Sequence, residues 1–367
     1  MKFPNKYLRN LKPYKLASHK VWAVEPEMRG KILKLDWNEA TVPPTPLVRE
    51  RIMSLLSNPD FFNLYPTTHN ERLHQLLADY AGVPKDNVQY FGGSDALHEY
   101  ICKVFISVGD PVIILGPSYD NFRLTCQASG ANVFYSKYNE DFSFDEDSFI
   151  KDIETIEPAL VYICNPNNPT GYLHDVAFIE RLLKDFPDTL FLIDEAYHEF
   201  AGNTCKDLTL TYDNILISRT MSKAFALANF RVGYLIASKE NVAFVNRIRN
   251  PKNLSTFAQE AAIAALSDIG YMKNYVRDVR DGMQYFIRES ESFKDRYHVY
   301  ASAGNFMLVR FHSHEEKKSL LSFLSQRNIF VRDTTQDPML NSCFRITIGT
   351  REQMERVIAA IADYYAG

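Results

Sequence analysis

Short apolar runs alternate with helical stretches between residues 86 and 250, and this alternation is the strongest constraint on the fold. Apolar runs that are bounded by turn residues are typical of strands buried on both faces of a sheet. Strands that alternate with helices form a mostly parallel sheet with right-handed crossovers. The sequence therefore predicts an α/β fold whose sheet has strands near residues 88–91, 112–115, 132–138, 160–164, 190–193, 215–218 and 232–237.

The pattern changes after Pro251, where long helices (256–267 and 271–290) precede strand-like runs at 306–311, 330–332 and 344–348. An amphipathic helix over 352–365 ends the chain. We interpret residues 1–33 as an N-terminal arm, 34–251 as a large domain with the mostly parallel seven-stranded sheet, and 252–367 as a smaller α+β domain against which the arm packs.

A single lysine, Lys223, follows the apolar run that ends near Ile217. Hydroxyl side chains flank it at Thr220 and Ser222, and Arg231 follows eight residues later. The hydroxyls and the guanidinium can hold a phosphate dianion, while the amine can condense with a carbonyl as a Schiff base. This stretch resembles the lysine motif of fold type I pyridoxal-phosphate (PLP) aminotransferases, and most closely that of the histidinol-phosphate aminotransferases.

Asp194 and Tyr197, which follow the strand at 190–193, fit the same chemistry. Asp194 lies where open α/β sheets bind ligands, and a buried carboxylate there keeps the PLP ring nitrogen protonated. A carboxylate after a strand is also a common helix N-cap, but its pairing with Lys223 favours the catalytic interpretation. Tyr197 is predicted to hydrogen-bond the phenolic oxygen of the cofactor.

Three further segments contribute to the predicted cofactor site. The rigid segment Cys164-Asn-Pro-Asn-Asn-Pro-Thr-Gly171 matches the family's Asn-Pro-Thr-Gly, which implies that Asn168 contacts PLP. Glycines open a helix at Ser94 and Asp95, whose amides are predicted to bind the phosphate. Asp95 is also a candidate N-cap. Tyr119, after the strand at 112–115, is expected to stack on the pyridine ring.

The resemblance covers nearly the whole chain. It implies that Tyr65 reaches across a homodimer to the phosphate of the partner subunit's PLP. It also implies a substrate site formed by two arginines with a tyrosine and an asparagine near the start of the chain: Tyr14, Asn38, Arg332 and Arg345. Arginine forks suit carboxylates and phosphates, although a surface arginine in a hairpin would be the plain alternative for Arg332.

Several positions depart from the family pattern near the cofactor or the substrate entry. Asp36 replaces a usual Asn, Ala40 and Thr41 replace a common Asn-Pro, Ser94 and Ala96 replace Ala and Glu, and Asn229-Phe230 replaces Gly-Leu. These differences leave the substrate open while preserving the predicted reaction.

The resemblance implies ping-pong transamination with glutamate as donor, in which Lys223 moves the proton and Asp194 sustains the electron sink. Imidazole acetol phosphate is the acceptor that the family suggests. Another ketone phosphate such as dihydroxyacetone phosphate is the alternative, and a PLP decarboxylase of a phosphorylated amino acid is a further one.

Composition excludes other classes of function. The net charge of −4 is not the excess of positive charge that is typical of proteins that bind nucleic acid or an anionic membrane. No signal peptide and no bilayer-spanning run is expected. Five dispersed cysteines predict reduced thiols in a cytoplasmic protein, and the nine histidines show no metal-ligand spacing.

Overall fold

A computed structural model of the chain describes residues 5–8, 11–13 and 25–367. Its strands are β1 Leu33–Leu35, β2 Val88–Phe91, β3 Pro111–Gly116, β4 Asn132–Lys137, β5 Leu160–Cys164, β6 Leu190–Asp194, β7 Ile215–Thr220, β8 Gly233–Ala237, β9 Tyr297–Val299, β10 Phe306–Phe311, β11 Ile329–Asp333 and β12 Cys343–Thr347.

The α-helices that accompany these strands are α1 Pro46–Leu56, α2 Glu71–Ala81, α3 Ser94–Phe105, α4 Asn121–Ala128, α5 Glu146–Ile156, α6 Val176–Asp185, α7 His198–Ala201, α8 Lys239–Asn246, α9 Thr256–Leu266, α10 Ile269–Ser290, α11 His314–Gln326 and α12 Arg351–Ala366. Short 3₁₀ turns connect several of them. Among the described residues, none of the helices combines the length and the apolarity needed to cross a membrane.

The larger sheet contains the seven predicted strands in the order β2-β8-β7-β6-β5-β3-β4. β8 runs antiparallel to both of its neighbours, and the other pairs are parallel. β5, β7 and β8 are buried along their whole length, and this burial explains their continuous apolar runs. The predicted mostly parallel seven-stranded sheet is therefore confirmed.

A smaller sheet has the order β1-β11-β12-β10-β9. Three of its strands were expected from the sequence, whereas β1 and β9 are each only three residues long and were not predicted. β1 pairs in parallel with β11, so residues at the start of the predicted large domain lie in the smaller sheet. The three-part division of the chain stays a prediction.

The described part of the N-terminal arm contacts both sheet layers. On the side of the smaller sheet, the Lys31 carbonyl accepts from Nη2 of Arg356 on α12, and Leu33 is paired with Ile329 of β11. The turn Lys6–Leu8 contacts α4, which belongs to the larger sheet layer, and the Tyr7 ring lies against Gly130.

All five cysteines lie in the described part of the chain, and each is a buried free thiol.

Candidate active site

The carboxyl ends of β5, β6 and β7 bring the predicted motifs together. Cys164 is paired in register with Asp194, and Asp194 with Ser218 on β7. Parallel strands end at the same edge of a sheet, so the loops that follow them share one crevice. The segment containing Asn168 and the segment containing Lys223 therefore leave the sheet beside Asp194.

Lys223 points into this crevice. Its Nζ donates a hydrogen bond to the carbonyl oxygen of Trp37 at 3.0 Å and lies 5.8 Å from the centre of the Tyr197 ring. Burial, followed by the positive charge of Arg345, lowers the pKa of Lys223 from 10.5 to about 8. A substantial fraction of this amine is consequently neutral near physiological pH, which is the form that attacks an aldehyde.

Asp194 is buried and held by protein donors. Its Oδ2 accepts a hydrogen bond from the Tyr162 hydroxyl at 2.8 Å, and its Oδ1 accepts one from the backbone N–H of Ala196 at 3.2 Å. Nε2 of His98 lies 3.9 Å from Oδ2 and 3.0 Å from the Ser218 hydroxyl. Burial first, and then the charge of Asp194, raises the pKa of Tyr162 well above its ordinary value, so the phenol remains a donor.

Tyr197 joins two predicted amides. Its hydroxyl accepts from Nδ2 of Asn38 at 3.0 Å and from Nδ2 of Asn168 at 3.2 Å. Oδ1 of Asn168 accepts a 2.6 Å hydrogen bond from Nη1 of Arg345. The phenol, the two amides and the guanidinium therefore form one continuous buried chain of hydrogen bonds.

A cluster of phosphate-binding groups lies at the start of α3. Gly93 has a φ of +96°, a backbone conformation that favours glycine, and a Cβ placed on it would lie 2.7 Å from Nη2 of Arg231. Ser222 donates its backbone N–H to Thr220 Oγ1 at 3.1 Å and accepts from Nη1 of Arg231 at 3.4 Å. Ser94, the first residue of α3, lies at the positive end of the helix dipole.

The Asp95 carboxylate links this cluster to Tyr119. Its Oδ1 accepts from the Tyr119 hydroxyl and from Nδ2 of Asn121, each at 3.0 Å, and its Oδ2 pairs with Nη2 of Arg231 at 3.2 Å. The prediction that Asp95 is the N-cap is wrong, because Gly93 occupies that position and the helix begins at Ser94.

The two predicted substrate arginines lie directly opposite each other on antiparallel strands. Arg332 of β11 is paired in register with Arg345 of β12, and residues opposite in register project from the same face of a sheet. Nη2 of Arg345 also donates to the carbonyl of Asp36 at 2.7 Å. The fourth predicted substrate residue, Tyr14, lies outside the described residues.

Tyr65, another predicted cofactor residue, lies at the surface of the subunit. Its side chain is 80% exposed, and Nζ of Lys252 lies 4.2 Å from the centre of its ring. Met53, Phe62 and Leu64 are likewise exposed apolar side chains. Within one subunit, Tyr65 is therefore a surface residue.

Sequence reasoning missed several groups that contact the site. Asp36 and Trp37 act through backbone carbonyls, which leave no signal in a sequence. His98 and Tyr162 could have been found, since each is a polar side chain on an otherwise apolar buried face of a helix or strand.

These residues fit PLP group by group. Lys223 is a partly neutral amine that faces the crevice, Asp194 is a buried carboxylate at the end of β6, and Asn168 and Tyr197 supply an amide and a phenol. Arg231 supplies a positive charge beside the Ser222 hydroxyl. They match the aldehyde, the ring nitrogen, the phenolic oxygen and the phosphate of that cofactor. The fold and the site therefore define a PLP-dependent enzyme.

The comparisons with known proteins give the family. The family model described as "Aminotransferase class I and II" matches residues 30–361, and the chain belongs to this family. It is a PLP-dependent aminotransferase.

Two curated relatives and one solved structure are similar over most of the chain. A dihydroxyacetone phosphate transaminase of Campylobacter jejuni is 38% identical over 98% of this chain and 96% of its own length. A histidinol-phosphate aminotransferase of Ruminiclostridium cellulolyticum is 37% identical over 88% of this chain and 89% of its own length. The crystal structure of the Sinorhizobium meliloti histidinol-phosphate aminotransferase with PLP has a TM-score of 0.85 at 25% identity, covering 99% of this chain and 97% of that one.

Proposed function

We propose that the enzyme transfers an amino group from glutamate to a small phosphorylated ketone. The observation that carries the proposal is the pairing of Arg332 with Arg345 in register across two antiparallel strands. Two guanidinium forks offer more donors than a single carboxylate needs, whereas a phosphate dianion can use both. Tyr14 is proposed as a third donor to the same group.

When bound, PLP supplies the electron sink that stabilises negative charge on the carbon that loses a proton. We assign Lys223 as the base that holds and moves this proton, because its pKa of about 8 suits general base catalysis near neutral pH. Asp194 would hold the ring nitrogen, and Tyr197 and Asn168 the phenolic oxygen. The phosphate would be bound by Ser94, Asp95, Thr220, Ser222 and Arg231, with Tyr119 stacked on the ring.

Dihydroxyacetone phosphate is the first acceptor to test. The relative named for it matches 98% of this chain, and the departure at Asp36 lies at a residue whose carbonyl accepts from Arg345. Imidazole acetol phosphate is the second, because the relatives named histidinol-phosphate aminotransferase reach 37% identity. Both ketones carry the CH₂-phosphate that the arginine pair would bind.

We further propose a cytoplasmic homodimer in which Tyr65 completes the cofactor site of the partner subunit. The exposed phenol would then be available to a cofactor phosphate in the partner subunit. Met53, Phe62 and Leu64 are exposed in the single chain and would be covered by such a contact.

The experiment is a screen of ketones with glutamate as donor, in which each phosphorylated ketone is matched with its unphosphorylated form. We expect turnover to require the phosphate. Arg332→Ala should raise KM for the phosphorylated ketone by about tenfold or more and affect glutamate far less, because charge-assisted hydrogen bonds contribute about 1.5–3 kcal/mol each. Arg345→Ala should impair both half-reactions, since we place the α-carboxylate of glutamate at the same guanidinium.

Two results would contradict the proposal. Equal turnover of unphosphorylated ketones or ordinary α-keto acids would make this a general amino-acid aminotransferase. Release of CO₂ from a phosphorylated amino acid without dependence on a keto acid would make it a decarboxylase.

A further inference from the structure

Lys317 is a buried amine that takes no part in the site described above. It lies on α11 and is only 1% exposed. Its Nζ is close to four oxygens: Thr335 Oγ1 at 2.6 Å, the Asn341 carbonyl at 2.7 Å, Asp333 Oδ1 at 3.0 Å and the Cys343 carbonyl at 3.3 Å. An ammonium has three donors, so this shell satisfies all of them.

The four oxygens belong to the connection between β11 and β12 and to the strand residues at its two ends. Asp333 and Thr335 lie at its start, and Asn341 and Cys343 lie at its end. A second contact joins the same two ends, because the Thr334 hydroxyl donates a hydrogen bond to the same Cys343 carbonyl at 2.7 Å. One ammonium thus ties together the two ends of a long loop.

This loop joins the two strands that carry the arginine pair. Asp333 directly follows Arg332 and is paired in register with Phe344, the residue before Arg345. A shift of one residue in strand register would turn one side chain to the opposite face of the sheet. The contacts of Lys317 therefore affect how the guanidinium groups of Arg332 and Arg345 are aligned.

The two arginines depend on Lys317 to different degrees. Arg345 is also held by Asn168 and by the Asp36 carbonyl, which lie outside the loop. Lys317 contacts Asp333, which directly follows Arg332, so the loss of Lys317 should displace Arg332, while Asn168 and the Asp36 carbonyl still hold Arg345.

We propose that Lys317 is a positioning residue for phosphate recognition, which keeps Arg332 opposite Arg345 by tying the two ends of the β11–β12 connection. The inference rests on the proposed function, in which this arginine pair binds the substrate phosphate. It assigns to a buried lysine on α11 an effect on substrate preference that a purely structural residue would not have.

The test compares Lys317→Met with the matched variant Lys318→Met, which changes the exposed neighbour on the same helix. KM and kcat are measured on the holoenzymes for glutamate and for the phosphorylated ketone, together with the inhibition constant of inorganic phosphate and the affinity for PLP. We expect Lys317→Met to raise the ketone KM and the phosphate inhibition constant about tenfold, corresponding to the loss of about one charge-assisted contact. Glutamate KM and cofactor affinity should change less than about threefold, and Lys318→Met should match the wild type.

Two results would overturn the inference: an unchanged phosphate inhibition constant in Lys317→Met, or an equal loss for glutamate, ketone and cofactor. If Lys317→Met does not fold, Asp333→Asn removes the charged partner and should give the same selective pattern with a smaller amplitude. Wild-type phosphate inhibition in Asp333→Asn would likewise overturn the inference. Failure of the proposed function is distinguishable, because it would appear in the wild-type enzyme as no preference for phosphorylated ketones.

Discussion

The titration of Lys223 should govern how fast the apoenzyme captures its cofactor. Burial and the charge of Arg345 lower the pKa of Lys223 from 10.5 to about 8. At pH 7.5 about a quarter of the amine is then neutral, compared with about one part in a thousand for an ordinary lysine. The expected gain in reactive amine is therefore about 200-fold.

The assay follows covalent capture of PLP by apoenzyme as a function of pH. Samples are quenched with borohydride, and the mass of the peptide carrying Lys223 is measured over pH 7–10, where the PLP phosphate stays a dianion. The rate should rise about fivefold from pH 7 to pH 8 and about twofold more by pH 9, and then become constant. Nα-acetyl-lysine, whose amine is fully solvated, is the reference and should continue to rise toward pH 10.

One variant and one stability measurement check the lowered pKa of Lys223. Arg345→Met removes the neighbouring charge, so the midpoint should move upward from pH 8. In the apoenzyme, a lowered pKa means that the unfolded chain binds more protons between pH 8 and 10.5, so Lys223 should make the free energy of unfolding rise with pH across that window. A capture rate that keeps rising through pH 9–10 would refute the reasoning.

Two further predictions concern cofactor retention. Tyr162→Phe removes the 2.8 Å hydrogen bond to Asp194, so PLP should dissociate about tenfold faster, as measured by absorbance during dialysis against excess buffer, while Lys318→Met serves as control. Tyr65→Phe should loosen PLP without altering the preference among ketones, and sedimentation should show a dimer. An active monomer at assay concentration would contradict the assignment of Tyr65.

The large sheet and its chemistry were predictable because both depend on strands that are buried on two sides. Such strands must be apolar throughout, and a polar residue at their carboxyl ends is therefore conspicuous. Asp194 ends β6 and Lys223 follows β7, so the two were identified from the same pattern that predicted the strands. Their common position at one sheet edge followed from parallel topology.

The smaller sheet was less predictable for a physical reason. β1 and β9 have three residues each, too few to show a period of two, and β1 joins the sheet through a parallel pairing with a strand almost 300 residues later. Whether Arg332 and Arg345 lie opposite each other also depends on the strand register, which the sequence of neither strand specifies alone. The buried Lys317 would be interpreted from the sequence as a solvated helix residue, because its acceptors come from two strand ends and the loop between them, which only the fold brings to it.

The two sheets meet through the segment that follows β1. Asp36 and Trp37 accept hydrogen bonds at consecutive carbonyls, from Arg345 at 2.7 Å and from Lys223 at 3.0 Å. Consecutive residues are only about 3.8 Å apart along the backbone, so the guanidinium and the amine are held close to each other. This proximity explains why Arg345 is the second cause of the lowered pKa of Lys223. An anion bound at Arg345 would offset that charge, and Lys223 would then become a stronger base when the substrate is in place.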